Sequence, residues 1–101
     1  MDFDKIFEEM LTAMKLEIGE GASKAGQYLQ QIMEENKETL KRITGFYIKG
    51  EITEDEFQSL IKDNMITLEN QLLNLNILKK KTIENVVNAG MSVIVTLTKL
   101  H

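Results

Sequence analysis

The side chains that could do chemistry are mostly carboxylates, in three groups: Glu8/Glu9, Glu34/Glu35/Glu38 and Glu51/Glu54/Asp55/Glu56. Facing helices hold paired iron or manganese ions when glutamates are joined by a Glu-x-x-His pair on two of the helices. The sole histidine is His101, the last residue, so that pattern is missing. The carboxylates also lack the regular ligand spacing of a calcium-binding loop. They read as solvated faces beside apolar stripes, the last group complementing a helix N-terminus. No metal is expected.

Phosphate chemistry has one candidate, Gly19-Glu20-Gly21-Ala22-Ser23-Lys24-Ala25-Gly26. It carries neither Gly-x-x-x-x-Gly-Lys-Ser/Thr nor Gly-x-Gly-x-x-Gly, and a helical pattern rather than a strand precedes it. Nucleophilic catalysis has no support: there is no cysteine, and the serines and His101 show no motif spacing. No catalytic residue and no cofactor is therefore expected. Lys79-Lys80-Lys81 could touch phosphate, but three lysines on one helical turn point in different directions. A net charge of −4 and a pI near 5.0 oppose a nucleic-acid partner, which needs cations against phosphate.

The elements that position these groups are helices. The chain has 101 residues, 43% of them hydrophobic and 28% charged, with no proline, which suits one ordered domain of uninterrupted helices. A stripe of mostly apolar residues recurs at steps of three and four from Phe3 through Phe7, Met10, Met14, Ile18, Gly21, Ala25, Leu29, Ile32, Asn36, Leu40 and Ile43 to Tyr47. Asn36 is the polar member of that stripe. From Thr53 the pattern returns as Phe57, Ile61, Asn64, Leu68, Leu72, Leu75, Lys79, Ile83, Val86, Gly90, Ile94 and Leu97. Met10 and Met14 lie on the first stripe, where methionine fills core gaps.

Gly50 suits the left-handed position just past a helix end. Thr53 with Glu56 has the spacing of a capping box, and Ile52 and Phe57 flank it as a hydrophobic staple. A turn at 50–53 thus joins two antiparallel neighbours. The glycines near Gly19 to Ala22 favour a break there over a close helix crossing. The expected fold is all-α: a long antiparallel helical hairpin with helices at about 3–18, 22–49 and 53–90 or beyond, three helices if the first half divides. Folding about Ile52 sets Met14 opposite Gly90 and Ile83 opposite Gly21. Val86, Val87, Val93, Ile94, Val95 and Thr96 are β-branched and would suit a strand, but nothing else in the chain can pair with it, so the stretch reads as the last turns of a helix.

Gly50-Glu51-Ile52-Thr53-Glu54-Asp55-Glu56-Phe57 resembles the Gly-x-Ile/Leu-Thr-x-Glu-Glu-Phe turn of short C-terminal (SHOCT-type) helical domains. The resemblance implies two helices joined in an oligomerising or adaptor segment. It is confined to this turn, which here precedes a far longer second helix, and no family is assigned from it.

Met65, Ile66, Leu73 and Ile77 form a second apolar strip that one antiparallel partner cannot cover. Burying four such side chains is worth on the order of 6–12 kcal/mol. A homodimer making a four-helix bundle on self-association is therefore expected, with Leu29, Ile32, Leu40, Met65, Leu68, Leu72 and Leu75 at its interface. The functional expectation is a non-enzymatic interaction or assembly protein. One alternative is a membrane-active or secretion-type hairpin using the weakly charged run Val86 to Leu97. Another is a small inhibitor or adaptor that docks a helix on a larger protein. That C-terminal run is short and interrupted for a membrane span, so a membrane partner is not favoured. The acidic opening Met1-Asp2-Phe3-Asp4 does not resemble a signal peptide, and a cytoplasmic location is expected.

Overall fold

A computed structural model describes residues 2–19 and 23–99. They form four helices: α1 (Phe3–Ile18), α2 (Ser23–Ile48), α3 (Glu54–Asn74) and α4 (Lys80–Lys99), with no strand among the described residues. Each starts and stops for a local reason. The Asp2 side chain accepts the Asp4 N–H at 3.0 Å and caps α1, which ends at Gly19 with φ 89°. The first half is therefore divided after Ile18. Glu20, Gly21 and Ala22 lie outside the described residues, and so does the Ile83–Gly21 pairing.

At the end of α2 the Glu51 N–H donates to Phe46 O at 2.9 Å and the Gly50 N–H to Tyr47 O at 3.0 Å. With Gly50 at φ 77°, this is a complete Schellman cap. The Thr53 Oγ1 then accepts from the Glu56 N–H at 3.1 Å, while the Glu56 carboxylate accepts from the Thr53 N–H at 2.9 Å. Both arms of the capping box are present, and Phe57 beyond it is buried and stacks on Tyr47 at 4.4 Å between ring centroids.

The second half departs from expectation. The helix expected over 53–90 is two helices, interrupted at residues 75–79. Asn76 sits at φ 56°, the one described residue other than glycine with positive φ, and its N–H donates to Leu73 O at 3.2 Å. Asparagine tolerates this left-handed backbone better than most residues, so it can end a helix where glycine usually does. Uninterrupted, a 53–90 helix would be about 57 Å long. The molecule measures 40 × 21 × 20 Å, so the long hairpin is doubled over on itself.

The result is a four-helix bundle made within one chain. α1 packs on α2 and most extensively on α4, and α3 packs on α2 and α4. One core runs through all four helices, including Phe7, Met10, Met14, Leu29, Met33, Leu40, Phe57, Met65, Leu72, Ile83 and Ile94. The α1–α4 seam is close because Gly90 has no side chain: a Cβ there would lie 2.8 Å from Met14 Sδ. Asn36 and Asn64, polar residues of the two stripes, face each other across α2 and α3, with the Asn64 amide 3.5 Å from Asn36 Oδ1. Lys37 links α2 to α1 from outside, 3.2 Å from Asp4 and 5.0 Å above the Phe7 ring. Its hydrogen bond to Asp4 raises the lysine pKa, with desolvation opposing. The β-branched run after Gly90 is helical to Lys99; Leu100 and His101 lie outside the described residues.

Candidate functional site

Of the residues expected at an interface between chains, Leu29, Leu40, Met65, Leu68 and Leu72 are wholly buried and Ile32 nearly so, all inside the chain's own core. Leu75 alone is exposed, at the α3–α4 connection. The break at 75–79 explains the difference. Folding α4 back gives α3 a second neighbour, so Met65 is buried and Leu73 packs against the core without another chain. Ile66 and Ile77 of the second strip stay exposed.

The turn residues serve the fold. Gly50, Ile52, Thr53, Glu56 and Phe57 hold the α2–α3 connection, with Ile52 and Phe57 against the core and the other three exposed. The carboxylates Glu8, Glu9, Glu34, Glu35, Glu38, Glu51, Glu54, Asp55 and Glu56 are all exposed, and no metal-holding cluster of side chains forms among the described residues. Lys79, Lys80 and Lys81 are exposed at the start of α4. No helix among the described residues is long and apolar enough to cross a membrane. Val86, Val87 and Ile94 of the C-terminal run are core residues.

Sequence reasoning did not single out the surface with the most chemical character. Near the C-terminal end of α2, Phe3, Lys41, Arg42, Thr44, Gly45, Phe46, Ile48 and Lys49 line an open cavity of about 400 Å³. Lys41, Gly45 and Lys49 follow one another at four-residue steps, so they share one face of the helix. The glycine leaves that face flat between two cations about 12 Å apart along the axis. Phe46, 39% exposed, and Phe3 supply aromatic surface.

Thr44 forms part of the wall, is 1% exposed, and its Oγ1 has no hydrogen-bond partner. The other buried threonine shows the contrast: Thr98 Oγ1 donates to Ile94 O at 2.7 Å. Thr12 and Thr67 likewise bond back to Glu8 O and Asp63 O. An unpaired buried hydroxyl is costly, by about 1–3 kcal/mol, which sets Thr44 apart. A second cavity shares Ile48 as a wall and lies among Tyr47, Glu54, Thr98 and Lys99, where Lys99 and Glu54 pair at 3.6 Å.

No family model, no curated protein and no solved structure matches the chain. The likeness of Gly50 to Phe57 to the SHOCT-type turn therefore stays a likeness of one capped turn.

Proposed function

We propose that the protein is a non-enzymatic helical interaction module, a bundle that folds on its own and works by presenting surface side chains to another protein. The observation that carries this reading is large apolar side chains left outside a core that is already filled. Leu16 is 77% exposed, Ile66 45%, Leu60 41% and Phe46 39%, while Phe7, Met10 and Leu72 are wholly buried. Such side chains gain by burial against a partner, at about 25 cal/mol for each Å² removed from water.

Self-association is the second reading. It is favoured by Leu16, Leu75 and Ile77, all exposed at the end of the bundle holding the α1–α2 and α3–α4 connections. Two copies meeting there would bury apolar residues that no helix of the same chain covers.

The test compares wild type with a surface variant carrying Leu16→Ser, Phe46→Ser and Leu60→Ser. Both are measured for mass over a range of concentrations and for capture of a defined protein from the native cell extract. A partner or a second copy held by wild type and lost by the folded variant is the expected result. Identical mass and identical capture profiles would remove the interaction role.

A further inference from the structure

We propose that the groove over Gly45 binds an acidic helical segment of a partner protein; this deepens the interaction role above and rests on it. A glycine inside a helix weakens it and leaves the backbone bare on that face. The bundle does not fill the bare face here: a Cβ at Gly45 would meet nothing within 4 Å. What the missing side chain permits is close approach of something from outside, to the flat face between Lys41 and Lys49.

The charge on that face defines the occupant. The chain carries a net charge of −4, yet among the described residues the groove is lined by Lys41, Arg42 and Lys49 and by no carboxylate. Among the described residues these three cations make no ion pair, although Glu38 lies one turn before and Glu51 just past the helix end. Cations at Lys41 and Lys49 match glutamates two turns apart on a partner helix, with an apolar residue between them facing Gly45, Phe3, Phe46 and Ile48. The unpaired hydroxyl of Thr44 is the independent sign of a missing partner. An acceptor on the bound segment would supply that partner. A membrane or a nucleic acid would also be drawn to three cations. The chain's net charge of −4 opposes both.

The experiment titrates the full chain against a labelled helical peptide with Glu, Leu and Glu at i, i+4 and i+8. Its twin carries Lys in place of each Glu. The acidic peptide is expected to bind more tightly than the twin by roughly tenfold or more. Thr44→Val is expected to weaken binding roughly three- to tenfold, the worth of one hydrogen bond, while raising the thermal midpoint by removing an unpaired hydroxyl. Gly45→Leu is expected to abolish binding without lowering the midpoint, since leucine is the better helix former and the site has room. Lys41→Glu with Lys49→Glu should reverse the preference between the peptides.

Equal affinity for both peptides, or binding unchanged by Gly45→Leu, would overturn the proposal. So would tighter binding to anionic lipid vesicles or to single-stranded RNA than to the acidic peptide. A partner lost by the three-serine variant but retained by Gly45→Leu would sink the groove and leave the interaction role standing. If wild type captures nothing, both fall.

Discussion

The chain reverses direction after α2 and again after α3, and the two connections are built from opposite chemistry. At the first, Gly50 takes the left-handed position without strain and both bonds of the Schellman cap form. Thr53 and Glu56 complete a capping box, and Glu54, Asp55 and Glu56 put negative charge on the positive end of the α3 dipole. At the second, Asn76 bears the positive φ, and the cap makes the bond to Leu73. Lys79 stands at the N-cap of α4, its carbonyl accepting the Ile83 N–H at 3.0 Å, and Lys80 and Lys81 follow with no acid in the first turn. The first connection is held by local chemistry. The second is held by what it brings together, since α4 must fold back for Ile83, Val86 and Ile94 to be buried.

The largest effect that separates the two accounts sits on either side of the second connection. Leu72→Asp places a charge in the core and should cost about 4 kcal/mol or more, unfolding the chain rather than dissociating a dimer. Leu75→Asp, three residues on, should stay within about 0.5 kcal/mol, because Leu75 is exposed. On one continuous helix both would lie on the same stripe. Comparable losses in urea denaturation would mean that α3 and α4 are not separate.

Next in size is Gly50→Val, which forces a β-branched residue into the left-handed region for about 2 kcal/mol. Asn76→Val should cost roughly half as much, since asparagine already bears part of that strain. A larger loss at Asn76 than at Gly50 would reverse the ranking of the two turns. Thr53→Ala should lose about 1 kcal/mol with the box. Lys79→Asp should gain about 0.5–1 kcal/mol by supplying an N-cap and relieving like charge at the helix start. If neither moves the denaturation midpoint, capping does not distinguish the connections. The smallest change is Asn76→Gly, a gain of about 0.5 kcal/mol or less, because the relief of strain is offset by glycine's greater freedom when unfolded.

The same contrast decides what the sequence could reveal. Gly50, Ile52, Thr53 and Glu56 each have a role that can be read from residue type and offset. So does the pairing of bulky Met14 with Gly90. The second break leaves no such mark. Leu72, Leu75 and Lys79 keep the helical step across it, no glycine or proline interrupts it, and Asn76 is the one signal that could have exposed it. Without that break the second half reads as one long helix, and a hairpin leaves Met65 and Leu73 without cover inside the chain. The groove at Gly45 was hidden for another reason. Its members belong to no motif, and only the folded helix shows that the glycine has empty space above it and that the hydroxyl of Thr44 goes unmet.

The seam of Met14 against Gly90 joins α1 to α4. A ribosome delivers α1 long before α4, so the face of α1 that packs on α4, Met14 included, has its cover only once α4 has been made. Assembly of this bundle therefore needs residues far apart along the chain to meet, a long-range closure that slows folding relative to a bundle of sequential neighbours.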